Sequence, residues 1–443
     1  MKTLIIILIA ISSIAAQSQT FINKGEKIGD EQKLEAITNI SKILNENYVF
    51  PDKANEMGTL IQQKLNSNEY DKISDPMLFS EQLTKDLQSV SKDKHLRVMY
   101  NPKEALELSK SSASHKMKEE VDENTIQMME YENYGFKKIE RLNGNIGYID
   151  FRNFYPSQYS KSTVAAVMGF LANCDAIIID LRQNGGGDPD GVRLICSYFF
   201  DANPVHLNDL YNRPENKMEE FWTLKEVEGK RMPDVGLYVL TSNYTFSGAE
   251  EFAYNLKNLK RATIVGETTG GGAHPGDVMA VNSNYVMFVP NGRAINPITK
   301  TNWEGTGVTP DLEVPQDKAL EIARMLALEN LAKKTTHVEI KNKLEWDIET
   351  IKSAINPVSI DETSMTSFTG KYGERNITVE NGALYYQRTG RPKFKMIPMS
   401  DNKFMFKEME AFRIEFVRDA NGIINQLIGI YDNGQRDISE KVN

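Results

Sequence analysis

The chain has 443 residues, 40% hydrophobic and 26% charged, enough for two or three domains with at least one substantial core. Its net charge of −9 argues against nucleic acid as a partner, since binding that backbone needs concentrated positive charge, and disfavours anionic membrane surfaces. Cys174, Cys196 and five scattered histidines show no metal-ligand spacing, so neither a metal nor another cofactor is expected.

The amino terminus has Lys2, an apolar run over residues 4–10, and small residues at Ser12, Ser13, Ala15 and Ala16. This pattern reads as a secretory signal peptide, residues 1–16, too short to span a bilayer. Export to the periplasm or the extracellular space is expected, with no stable membrane span.

Residues 17–102 read as a helical domain. Apolar stripes at Leu34, Ile37, Ile40 and Leu44, then Met57, Leu60, Ile61 and Leu65, then Phe79, Leu83, Leu87 and Val90 predict three short amphipathic helices. Such helices bury little alone and are expected to lean on the next domain. His95 follows the third stripe at a helix-to-strand joint, where a histidine is ordinarily a surface or satisfied residue. Residues 103–133 are polar and read as a connector, with His115 in a solvated Ser/Lys-rich run.

An α/β domain is expected over residues 134–335. Alternation at Ile146, Tyr148 and residues 150–154 predicts a strand, residues 161–173 a helix, and the apolar run 175–180 a buried strand. That strand leads into Gly185, Gly186 and Gly187, which permit close backbone approach. A plain turn or half of an oxyanion hole both fit; the lysine and spacing of a phosphate loop do not. A helix is expected over 190–200, and both cysteines lie in apolar segments where buried packing is the default. The polar excursion 201–235 holds Tyr211, Phe221, Trp222 and Leu224, which either cover a cleft or anchor a loop.

Residues 238–254 are the most informative stretch. Tyr238, Val239 and Leu240 end a strand, and Ala249, Phe252, Ala253 and Leu256 mark a helix beginning at Ser247. Ser247 and Glu250 match the capping box S-x-x-E, so an ordinary helix cap is one reading. A serine at that junction also exposes its hydroxyl where free amides and the helix dipole favour developing negative charge, so a nucleophile is the other. After a strand at 261–265, a second glycine-rich loop ends in His274, a rival to His95 as general base. Residues 285–289 and 292–297 read as hairpin material, Glu304 lies in a constrained loop, and 317–333 is helical. Residues 336–360 read as a connector. From 361 to 443, short alternating segments and the turns Asn381-Gly382, Asn421-Gly422 and Asn433-Gly434 predict a small antiparallel β domain.

Six ordered blocks resemble the tail-specific, or C-terminal-processing, serine peptidases, and among them the branch that includes interphotoreceptor retinoid-binding protein and the tricorn protease core. They are D-K-H-L-R-V at 93–98, G-N-I-G-Y-I-D-F at 144–151, D-L-R-Q-N-G-G-G at 180–187, T-S-N-Y-T-F-S-G-A-E-E-F at 241–252, V-G-E-T-T-G-G-G-A-H-P at 265–275 and E-G-T-G-V-T-P-D at 304–311. The resemblance implies a crotonase/ClpP-like α/β core with Ser247 as nucleophile, His95 as base and Glu304 as its carboxylate. It also implies Gly185 or Gly186, with Gly248, as oxyanion-hole amides. The processing branch uses a lysine where this chain has Gly272, which argues against a Ser-Lys dyad, and Lys94 stands where the tricorn core has a serine. The expected activity is hydrolysis of a polypeptide substrate. The alternatives are a noncatalytic module binding peptides or hydrophobic ligands on the same scaffold, and a hydrolase of non-peptide esters or amides.

Overall fold

The computed structural model describes residues 27–113 and 121–442, so the expected signal peptide and His115 lie outside the described residues. The chain divides into two compact units. One holds the residues up to 141 together with Gly147–Ala319, and the other holds Leu142–Ile146 with the residues from 320 onward.

The first unit begins with three helices, Asp30–Asn47, Pro51–Asn66 and Pro76–Ser91. Their stripes bury Ile37, Ile40, Leu44, Met57, Ile61, Phe79, Leu83 and Leu87, as the spacing predicts. They do not form a core alone: the same cluster takes in Val98, Tyr285, Met287 and Val289 from strands. Those strands are Arg97–Tyr100 and Tyr285–Pro290, which pair antiparallel, with Gly276–Ala280 on the far side of Tyr285–Pro290. Helices Pro102–Ala113 and Glu123–Tyr131 occupy part of the expected connector.

The centre of this unit is a six-stranded sheet. Its order is Leu312–Glu313, Thr263–Gly266, Gly236–Thr241, Ala176–Asp180, Ile146–Phe151 and Phe136–Leu142, and the first four of these run parallel. Ala176–Asp180 is buried along its whole length, which explains its lack of apolar–polar alternation. Helices Ser157–Leu171, Pro189–Ser197 and Gly248–Asn258 pack with the sheet around Ile177, Ile179, Val239, Ile264, Phe252 and Leu256.

Two sequence expectations change here. The excursion 201–235 contains a hairpin, His206–Asn212 with Lys217–Trp222. Residues 285–290 and 292–295 are strands, but they do not pair with each other. Tyr285–Pro290 joins the sheet with Arg97–Tyr100, whereas Gly292–Ile295 pairs with His206–Asn212. Local alternation marks a strand without naming its partner, so distant pairings were not legible. Cys174 and Cys196 are both free thiols, and Cys196 is buried.

The second unit contains most of the helix Gln316–Lys334, the helices Val338–Ile355 and Glu362–Phe368, and a nine-stranded sheet. Its strands all pair antiparallel, and its core is aromatic, with Phe368, Tyr372, Phe404 and Phe416 fully buried. Asn381 and Gly382 both have positive φ, 50° and 70°, the geometry of the tight hairpin turn expected of Asn-Gly. The expected connector 336–360 is largely the helix Val338–Ile355.

Candidate active site

Adjacent parallel strands deliver their following loops to one edge. Ala176–Asp180 leads into the glycine turn at 185–187, Gly236–Thr241 leads to Ser247, and Thr263–Gly266 leads into the loop holding Gly270, Gly271, Gly272 and His274. The carboxyl ends of parallel strands are where an open α/β sheet leaves a crevice.

Ser247 sits at the head of the helix Gly248–Asn258 with φ 54° and ψ −123°, a conformation an L-residue adopts only at a cost of about 1–3 kcal/mol. The surroundings hold it there. Glu250 Oε2 accepts from the Ser247 N–H at 2.9 Å and the Gly272 N–H at 2.8 Å. Glu250 Oε1 accepts from the Gly271 N–H at 2.7 Å and the Thr269 hydroxyl at 2.5 Å. Burial pushes the Glu250 carboxyl up to about 7, and these four donors pull it back toward the ionised form. The capping glutamate thus ties the serine turn to the second glycine loop.

The first glycine loop approaches from the other strand. Gly186 has φ +116°, and a Cβ there would lie 2.8 Å from Ser247 Cβ and 2.9 Å from the Gly248 nitrogen. Its own N–H donates to Asn184 Oδ1 at 2.8 Å, so the Gly186 amide is engaged. Gly187 has φ +129°, and it lines a small recess together with Ser247, Gly248, Glu251, Gly272 and Trp303. Gly185 is not among the residues lining that recess. The residue next in sequence, Gly187, was not singled out, because three consecutive glycines give no register.

His95 occupies the joint between the helix Pro76–Ser91 and the strand Arg97–Tyr100. Its ring lies between Phe246 and Phe288, with centroids 4.5 and 5.8 Å away. Both ring nitrogens are buried without a hydrogen-bond partner, Ser247 included. Burial pushes its imidazole down to about 4, with only partial compensation from Asp93, so His95 is neutral at physiological pH. The structure therefore brings His95 beside the residue preceding the serine, in its proton-accepting form, but not into hydrogen bonding with Ser247.

Glu304 is not within ion-pairing distance of His95. The nearest carboxylate to that ring is Asp93, with Oδ1 3.9 Å from Nδ1 and 3.0 Å from the His95 backbone nitrogen, whose N–H it accepts. Glu304 Oε2 instead accepts the Ala273 N–H at 2.6 Å and lies 3.4 Å from His274 Nδ1. His274 Nδ1 is hydrogen-bonded to Asp93 Oδ2 at 2.8 Å. Burial alone would lower His274, but the hydrogen bond and charge of Asp93, with Glu304, outweigh it and hold the ring above its ordinary value. Burial opposes ionisation of Asp93 too, and the His274 contact outweighs it, keeping that carboxyl below its usual range. Burial and the Asp93 charge push Glu304 up to about 7. His274 is thus clamped between two carboxyls.

Asp93, His274 and Glu304 each offer a ligand atom, all within 4.8 Å of one another, a set that could hold a metal ion. The Asp93 oxygens are already taken, by the His95 N–H, by His274 and by the Tyr48 hydroxyl at 3.3 Å. Sequence spacing could not suggest this set, since Asp93 and His274 are 181 residues apart. Asp93 was missed as a candidate, although it opens the block that contains His95.

Residues 145–314 match peptidase family S41, and residues 31–134 match the N-terminal domain of Peptidase S41 in eukaryotic IRBP. The chain is 28% identical over 176 residues to carboxyl-terminal-processing peptidase 2, chloroplastic, of Arabidopsis thaliana, covering 39% of this chain and 32% of that protein. It is 28% identical over 135 residues to the tail-specific protease of Haemophilus influenzae, covering 30% and 18%. The chain thus spans a third or less of the length of these curated relatives. The solved structure of mature CPAF is similar at a TM-score of 0.47 and 11% identity, over 70% of this chain and 99% of that one.

Proposed function

The chain belongs to peptidase family S41, and we propose that it is an exported serine peptidase in which Ser247 attacks the peptide carbonyl and His95 takes its proton. The observation that carries this reading is the conformation of Ser247, held at positive φ at a helix head against a glycine turn. Such strain is maintained only where the surroundings over-determine it, and Ser247 lines the recess at the helix head.

Each step follows from a group in the crevice. Neutral His95 accepts the Ser247 proton as the Oγ–carbon bond forms, the hydrogen bond between base and nucleophile being made only once substrate binds. Asp93 balances the imidazolium, while the clamped His274 and Glu304 hold Asp93 in place. The N–H of Gly248, at the positive end of the helix dipole, and that of Gly187 receive the oxyanion. His95 returns its proton to the leaving amine, and water releases the acyl group by the reverse sequence. In this reading Glu304 acts on the base through His274 and Asp93 rather than directly.

An extended polypeptide suits the crevice. A second recess shares Leu210 and Pro275 with the one beside Ser247, so the two adjoin along the crevice. Leu210 and Tyr211, from the hairpin in the polar excursion, line these recesses, while Phe221 and Leu224 pack into the core. The leader pattern supports export, and no helix of the described residues is long and apolar enough to cross a membrane.

Ser247→Ala should abolish peptide hydrolysis while leaving the melting temperature close to that of the parent. Undiminished turnover in a folded Ser247→Ala variant would end the assignment. A binding-only reading rests on one observation, the absence of a hydrogen bond between His95 and Ser247. It predicts peptide binding without hydrolysis by the parent chain.

A further inference from the structure

Asp93, His274 and Glu304 come from three separate segments and meet beside the base. Their side chains are 1%, 6% and 18% exposed. His274 Nδ1 lies 2.8 Å from Asp93 Oδ2 and 3.4 Å from Glu304 Oε2, and one donor atom from each residue falls within 4.8 Å of the other two. Phe50 packs edge-on against the His274 ring, with centroids 5.3 Å apart, and fixes its orientation.

Two features set this cluster apart from an ordinary ion pair. Two carboxyls share a single imidazole, and among the described residues no lysine or arginine pairs with either. The cations whose charge reaches the cluster are engaged elsewhere: Lys94 donates to the Gly270 carbonyl, and Arg293 lies over the rings of Phe50 and Tyr211. The second feature is a surplus of donors. Glu304 Oε1 is buried with no hydrogen-bond partner, and so is Nδ1 of His95, a residue only 9% exposed, 3.9 Å from Asp93 Oδ1. Buried polar atoms are ordinarily satisfied, and unused ones gathered around paired negative charge suit a cation.

We propose that Asp93, His274 and Glu304 bind a zinc ion. One imidazole and two carboxylates match a four-coordinate shell of three protein ligands and a water, whereas calcium would need about six to eight oxygens. Ligand atoms about 2.0–2.2 Å from the ion stand about 3.3 Å apart in a tetrahedron, so the set closes on zinc with side-chain shifts of about 1 Å. The ion replaces the proton between His274 Nδ1 and Asp93 Oδ2, and that proton leaves to solvent. Asp93 keeps the His95 N–H and the Tyr48 hydroxyl on its remaining lone pairs. Glu304 offers Oε1 while Oε2 keeps the Ala273 N–H. Such an ion inhibits: Asp93, once a metal ligand, no longer balances the His95 imidazolium, and a dication beside the base opposes its protonation. This consequence rests on the peptidase reading, and the binding does not.

The test separates the two. The whole Ser247→Ala protein, freed of metal by a chelator, is titrated with cobalt(II), whose visible d–d absorption reports a four-coordinate site, and zinc is then added to displace it. One equivalent of each should bind. His274→Ala and Glu304→Gln in that background, both checked for native circular dichroism, should weaken binding by more than about 100-fold, beyond what loss of an outer-shell partner costs. His206→Ala, which breaks the other hydrogen-bonded histidine–carboxylate pair, with Asp209, should bind as its parent does. In the chain that retains Ser247, zinc should lower kcat by about 100-fold, the contribution of a general base, over the same concentration range, and chelation should restore it. Absence of stoichiometric binding, binding unchanged in either His274→Ala or Glu304→Gln, or binding lost in His206→Ala would overturn the site. Zinc bound without inhibition of an active enzyme would overturn its inhibitory role. A chain that binds zinc here but cleaves no peptide would refute the peptidase reading and leave the site standing.

Discussion

Gly272→Ala is a test of how the site is assembled. A methyl there would lie 2.2 Å from Cζ and 2.5 Å from Cε2 of Phe246, and 2.7 Å from Cε1 of His95. Carbon atoms are at ease near 3.5–4 Å, so the rings must withdraw by roughly 1 Å. The backbone cannot step back instead. The Gly272 N–H is fixed to Glu250 Oε2 at 2.8 Å, and its carbonyl accepts from Trp303 Nε1 at 2.7 Å. His95 is flanked by Phe246 and Phe288, so motion of Phe246 carries the imidazole with it. Overpacking of this kind costs about 1–3 kcal/mol of stability, and a displacement of about 1 Å in a catalytic group costs on the order of 100-fold in rate. Steady-state kinetics on a fluorogenic peptide, paired with thermal melting, measures both. kcat should fall by about 100-fold, KM should change far less, and the protein should remain folded with a melting point lower by several degrees. Gly272→Ala with parental kcat would refute the placement of His95 as base. For the same steric reason Gly272→Lys should not create a working Ser-Lys pair.

Three further outcomes follow from the geometry. Gly186→Ala forces a side chain onto φ +116° and against Ser247 Cβ and the Gly248 nitrogen, so kcat should drop by about 100–1,000-fold, as for loss of an oxyanion donor; an active variant would place the oxyanion elsewhere. Glu250→Gln keeps the volume but cannot accept all four donors, and should cost about 1–3 kcal/mol by denaturant titration together with most of the activity; retention of both would remove Glu250 as the tie between serine turn and glycine loop. The pH–rate profile assigns the base: with His95 held down to about 4, the acid limb of kcat/KM should lie near pH 4, whereas reliance on His274, held above 6.5, would put it above pH 6.5 and leave His95→Ala active. The stability sign agrees. The unfolded chain protonates His95 near 6.5 and the fold resists to about 4, so stability is lost as pH falls through that window, and His95→Gln should flatten the loss.

Much of the fold was legible because burial leaves periodic marks. The three helical stripes, the unbroken apolar strand at 176–180 and the Asn-Gly hairpins each follow from local chemistry. Partner choice was not legible: Gly292–Ile295 pairs with a strand some 80 residues earlier, in a segment read only as a polar excursion. The site shows the same division. Ser247 was identifiable from the strand-to-helix junction, and S-x-x-E marked Glu250 as its cap, though not as the residue binding a second loop. Glu304 and His95 carry recognisable motifs, yet their relation passes through Asp93 and His274, contacts that span long sequence separations.

The central claim is that Ser247 is an activated nucleophile rather than only a helix cap. A fluorophosphonate probe applied to the whole protein, with the adduct located by mass spectrometry, tests it most directly. The account predicts stoichiometric modification of Ser247, abolished in Ser247→Ala and slowed by at least about 100-fold in His95→Ala. An unmodified Ser247 in folded protein, or labelling at the same rate without His95, would contradict it.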